Sequence, residues 1–144
     1  MTAFKIIITI CAVLATLLIS SPPTQADSRE MVELPDLMRT HMLDNMRDHM
    51  AAISEILEHL SKDELEKAAD VAESRLGFSS LESHGASHIA KFMPEGMSAA
   101  GTAMHRAASQ FARIAQEGEV LPAYQKLKDI TAACVACHSG YKVQ

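Results

Sequence analysis

Leu127-Lys128-Asp129-Ile130-Thr131-Ala132-Ala133-Cys134-Val135-Ala136-Cys137-His138, close to the C-terminus of a 144-residue chain, carries two patterns at once. Leu127, Ile130, Cys134 and His138 recur at threes and fours, so they share one sector of an α-helix and face a core. The last five residues read CxxCH, the spacing through which haem c is attached. Two thiols add across the two vinyl groups of one porphyrin, and the adjacent histidine offers its imidazole to the iron from the proximal side. A CxxC alone also suits a redox dithiol or half of a zinc site. The first belongs at a strand-to-helix junction and the second needs another ligand pair, and the sequence offers neither. One covalent haem c is therefore expected, held by Cys134 and Cys137, with His138 as the proximal iron ligand.

The N-terminus bears on the compartment. Met1 to Lys5 is a short positive start, Ile6 to Ile19 an apolar run, and Thr24-Gln25-Ala26 a small-residue exit ahead of Asp27. Residues 1–26 read as a cleaved signal peptide and residues 27–144 as one small domain. The run is shorter than the roughly 20 residues of a bilayer span and Pro22-Pro23 ends it, so no membrane association is expected after cleavage. Cys11 falls inside the run, not where a lipoprotein cysteine would be. The expected location is the periplasm, which agrees with covalent haem attachment outside the cytoplasm. Excision takes one lysine and no acid from the 13 basic and 18 acidic groups, leaving 12 against 18 and a net charge of −6. That surface argues against nucleic acid and anionic lipid, and for a periplasmic redox partner with a basic docking patch.

Helix signals fill the mature chain and no convincing strand signal occurs. From Pro35 to Leu60, Met38, Met42, Met46, Ile53, Ile56 and Leu60 form an apolar stripe opposite Thr40, Asp44, Arg47 and Glu55. Ser61-Lys62-Asp63-Glu64 has the form of a capping box for a second helix that Gly77 closes. Residues 78–92, with Gly85 at their centre, read as a longer connection containing a helical turn. Pro94 suits the first turn of a third helix with Met97, Gly101, Met104, Ala108, Phe111 and Ala115 inward, and Gly118 ends it. Pro122 starts the fourth. The expected fold is all-α, an antiparallel four-helix bundle with covalently bound haem.

Four such helices with a single CxxCH at the end of the last resemble the cytochrome c-prime family, the class II c-type cytochromes. The matching residues are Cys134, Cys137 and His138, followed by Tyr141-Lys142, similar to the family's Tyr and basic residue just after the haem histidine. Arg39, early in the first helix, resembles a basic residue the family places near the haem propionates. The resemblance thus implies that Arg39, Tyr141 and Lys142 lie by the propionates. With a long first helix, it also admits a homodimer. Ordinary small c-type cytochromes carry CxxCH near the N-terminus, the reverse of the order here.

In an up-down-up-down bundle the end of the fourth helix lies beside the start of the first, so Met38, Met42, Leu43 and Met46 are the candidates opposite His138. A thioether on the iron gives a six-coordinate centre suited to one-electron transfer; leucine there leaves a five-coordinate haem that binds NO or CO. The resemblance covers both variants. Four residues on from Arg39, the family's usual count, is Leu43, whereas the helical wheel puts Met42 at the centre of the apolar arc, with Met46 next. His49 lies on the same arc and reads as a core histidine with its polar atoms satisfied. Methionines at helical spacing are ordinarily core filler, but Met38 to Met50 with His41 and His49, and the scatter of His84, His88, Met93, Met97, Met104 and His105, also suit Cu(I), so copper handling is a third reading. No nucleophile beside a base, carboxylate pair or phosphate loop is visible, and no enzyme is expected.

Overall fold

The computed structural model describes residues 27–144; the signal-peptide reading and Cys11 fall on residues 1–26, outside the described segment. Pro35 turns an extended lead-in into helix α1, Asp36–Ser61, its carbonyl accepting the first helical bond from Arg39 N–H at 2.9 Å. Met42, Ala52, Ile56 and Leu60 are the buried residues of α1. At its far end Asp63, with φ of 58°, reverses the chain.

The capping box does not form. Ser61 is still helical, and its hydroxyl donates back to the Glu58 carbonyl at 2.7 Å, the usual competition between a short polar side chain and the backbone. Glu64 opens α2, Leu65–Arg75, through its backbone carbonyl alone, while its carboxylate takes Lys67 and His59, each at 2.7 Å. Helix α2 doubles back along α1, for Arg75 at its end grips Asp48 and Glu55. The face it buries is small, Ala68, Ala69 and Ala72 beside Leu65, which lets helices approach closely.

The connection to the next long helix holds a 3₁₀ turn at Phe78–Ser80, the short α3 at Ala86–Ile89 and a second 3₁₀ turn at Ala90–Phe92. Gly85, at φ of 60°, takes the left-handed bend that precedes α3. Helix α4, Glu95–Gln116, starts one residue after Pro94, which stands at its N-cap rather than inside its first turn. Met97, Met104, Ala108, Phe111 and Ala115 are buried as expected, and His105 and Ser109 join them. Gly118, at φ of 83°, ends the turn into α5, Val120–Gly140, which begins two residues ahead of Pro122. Along the chain α1 packs on α2, α2 on α4 and α4 on α5.

The structure adds one feature that the sequence reading lacked. β1, Glu30–Val32, pairs in parallel with β2, Tyr141–Val143, in the register Glu30 to Tyr141 and Val32 to Val143. A three-residue strand whose partner lies more than a hundred residues away leaves little pattern to read. The class remains all-α, with this ladder as its only sheet among the described residues. No helix among them is long and apolar enough to cross a membrane.

Candidate functional site

Buried apolar residues divide into two clusters. The larger is built on alanines and branched aliphatics of the four long helices around Phe111. The smaller joins the beginning of the domain to its end: Val32, Leu34, Met42, Ile89 and Met97 form its centre, with Met38, Met46, Phe92, Met93, Cys137, Tyr141 and Val143 packed around them. Met38, Met42 and Met46 repeat every four residues, so one face of α1 presents three thioethers to it. Met42 is 8% exposed, whereas Leu43, one residue and about 100° further round the helix, is 38% exposed and outside the cluster.

From α5, Cys137 belongs to the smaller cluster, while Cys134, one turn earlier, packs against the larger. The two free thiols therefore straddle the boundary between the clusters. Burial pushes both thiols up from their ordinary pKa, and for Cys137 the neighbouring Cys134 adds to the effect. A redox CxxC shows the opposite shift, because its reactivity depends on a stabilised thiolate. Three or more His, Cys, Asp or Glu side chains do not converge as a metal site among the described residues. Two adjacent thiols in an apolar setting, a histidine immediately after them and a wall of thioethers are a donor set that suits a large apolar macrocycle with an iron at its centre.

The other candidate residues are placed differently. His138 is exposed on the last turn of α5, and its carbonyl accepts Arg29 Nη1 at 3.5 Å. Tyr141 lies in the smaller cluster with its hydroxyl against Gly96, where a Cβ would overlap it. Lys142 pairs with the Asp27 carboxylate at 3.3 Å, and Arg39 with Asp36 at 3.2 Å, so both basic groups are engaged in ion pairs at the surface. Of the residues that suited copper, Met104 belongs to the larger cluster and Met50 is 71% exposed. His49 departs from the expectation of a satisfied core histidine, because its Nε2 is buried without a hydrogen-bond partner.

Sequence reasoning missed the lead-in strap. Asp27 is bonded by the side chain and backbone of Arg29 and by Lys142, which together hold its carboxyl far below the usual range. The available signal was the alternation Met31-Val32-Glu33-Leu34, in which Val32 and Leu34 are buried and their neighbours are not. The link residues Ile89, Phe92 and Met93 carried no comparable sign. The chain matches no protein-family model, and no curated protein and no solved structure is significantly similar to it.

Proposed function

We propose that this chain is an exported monohaem c-type cytochrome of class II type, its four long helices forming an antiparallel bundle, and that it carries single electrons between periplasmic partners. The observation that carries the reading is the meeting of Cys137, from the end of α5, with Met42, from the beginning of α1, in one buried apolar cluster. Cys134 and Cys137 would hold the porphyrin through thioether bonds, and His138 would bind the iron after its side chain turns in from solvent. Met42 is the distal candidate and Met46 the second. The haem supplies a one-electron couple when bound, and a thioether ligand raises its potential.

Each remaining role falls to the chain itself. Ile89 and Met97 at the centre of the cluster, with Phe92 and Met93 at its rim, would give a bound haem an apolar setting that favours the less charged, reduced state. Arg39, Tyr141 and Lys142 lie at the ends of α1 and α5 toward which propionates would point under the class II reading. A mature surface with 18 acidic groups against 12 basic ones favours docking to a partner with a basic patch. Absorption spectra of the haem-matured protein in both oxidation states test the reading. Low-spin bands with the weak long-wavelength ferric band of a thioether ligand are expected. A high-spin spectrum would place Leu43 or another inert group over the iron and make NO or CO the ligand of interest, and a protein that takes up no haem in a maturation-competent host would end the reading.

A further inference from the structure

The link between α2 and α4 is fastened to α1 by a hydrogen bond and ring contacts around His84, ahead of its apolar packing at Ile89 to Met93. Asn45 Nδ2 donates to the His84 carbonyl at 3.1 Å, Gly85 lies against the His41 ring, and the rings of His49 and His84 are 4.8 Å apart. His84 in turn lies 5.5 Å from His105 of α4. Three imidazoles from three segments thus meet beside the stretch of link that carries Ile89, Phe92 and Met93 into the cluster around Met42.

His49 and His84 are set for the uncharged state, with His105 fixed beside them. His105 Nδ1 donates to the Leu76 carbonyl at 2.8 Å. The His84 Nδ1 lies 3.3 Å from Ser80 Oγ, whose own proton goes to the Gly77 carbonyl. His49 Nε2 has no partner at all, so a proton there would be a buried, unbonded charge. The other titratable or charged groups facing the rings are His41, Asp48 and Arg75, and Arg75 occupies the Asp48 carboxylate with a forked pair of bonds. No free carboxylate on α1, α2, the link or α4 is therefore turned to a protonated ring. With no three donor groups convergent on a cation, the cluster is not a preformed metal site either.

We propose that His49 and His84, packed against one another and against His105, form an acid-operated latch: uncharged, they let the link lie on α1, and protonated, they repel one another, release residues 84–93 and bare the methionine face of α1. Burial first, then His84 and His105, hold His49 at about 4, and burial with His105 lowers His84 as well. Once the link is released, His49 and His84 return to the ordinary value near 6.5. Protons then favour release throughout the interval between those values, by roughly 70-fold at pH 4.5 for His49 alone. The consequence for the iron rests on the reading of Met42 as its distal neighbour, but the latch itself does not.

Hydrogen exchange on the haem-matured protein at pH 7.5 and 4.5, corrected for the intrinsic pH dependence of exchange, tests it. Exchange in residues 84–93 is expected to quicken on the order of 50-fold at the lower pH while α4 and α5 stay protected, and His49→Gln to flatten the response. If His49→Gln does not fold, His84→Gln, at a half-exposed position of the link, is read in its place. Unchanged protection across this range, or the same loss in the variant that folds, overturns the latch. CO association with the reduced protein, measured in parallel, separates the two ideas. A rise over the same pH interval supports both, whereas a link that opens with no change in CO association upholds the latch and counts against Met42 as the group over the iron.

Discussion

Truncating Met42 and Leu43 separately sets two adjacent residues of α1 against each other. Met42 is 8% exposed and sits among Val32, Leu34, Ile89 and Met97, while Leu43 is 38% exposed and outside that cluster. Removing a buried methionine side chain costs about 2–5 kcal/mol, the spread reflecting how far the site collapses around the loss. Here the rim of Met38, Met46, Phe92 and Met93 is only partly buried and free to relax, so Met42→Ala should cost about 2–3 kcal/mol. Leu43→Ala, at a position already open to water, should cost under about 1 kcal/mol. Urea unfolding resolves the difference: at a slope of about 1–2 kcal/mol per molar, the two midpoints should stand roughly 1 M apart. Under the proposed haem reading, only Met42→Ala should move a low-spin centre toward high spin in spectra of the same variants. Greater loss in Leu43→Ala, or a spectral change there and not in Met42→Ala, would mean that α1 is turned by about one residue, or 100°, from the setting described.

Three further outcomes are expected. The folded state holds His49 at about 4 against an ordinary 6.5, so the unfolded chain binds more protons between those values; stability is complete above 6.5 and falls as the pH drops toward 4. The full interval is worth about 3 kcal/mol, reduced to about 2 by partial exposure and coupling to His84, and His49→Gln should remove that part of the slope in unfolding measured from pH 7.5 to 4. Arg75→Ala takes away the fork on Asp48 and the 2.7 Å bond to Glu55, and should cost about 1–2 kcal/mol in low salt and less in 1 M salt; equal losses in both would show that the guanidinium acts through packing. Gly96→Ala forces the Tyr141 hydroxyl aside and should destabilise, whereas in a Tyr141→Phe background the same change should gain a few tenths of a kcal/mol from helix propensity, and additive effects in that cycle would show that the two residues do not touch.

What was legible in the chain followed from periodicity and from motif chemistry. The stripe from Met97 to Ala115 could be read because α4 buries one broad face, and Leu127 and Ile130 because α5 lies on it for most of its length. The sector that holds Leu127 also holds Cys134 and His138, yet burial fades along it, from Ile130 at 0% to a half-buried Cys134 and an exposed His138. A helical wheel has no axial coordinate, so it cannot show where the core stops. Buried polar residues were hidden for a related reason. Ser109 is inside because its hydroxyl takes the Phe78 N–H at 3.0 Å, and His105 because it donates to Leu76, and each partner is about thirty residues away. Ser61 misled because a capping box and one more residue of helix use the same side chain, and α1 simply continued through it. The CxxCH could be picked out without tertiary context, whereas the burial that sets Met42 apart from Leu43 could not.

The composition of the two clusters bears on what the smaller one is for. The larger is rich in alanine, and α2 and α4 lie against their neighbours where Ala68, Ala69, Ala72, Ala108 and Ala115 leave room for close approach. The smaller has no alanine among its buried residues and five methionines among its members. Alanine-lined faces suit helices that touch, whereas unbranched thioether chains fill an irregular or variable gap. The backbones of α1 and α5, unlike those of α1 with α2 or α4 with α5, make no extended approach among the described residues. Met42 of α1 and Cys137 of α5 share the smaller cluster, and the β1–β2 ladder, whose Val32, Tyr141 and Val143 belong to it, ties the same two chain ends together. Under the proposed reading, the strap that ties the ends of α1 and α5, with thioether side chains and Cys137 packed beside it, would set adaptable rather than alanine-lined packing next to the haem.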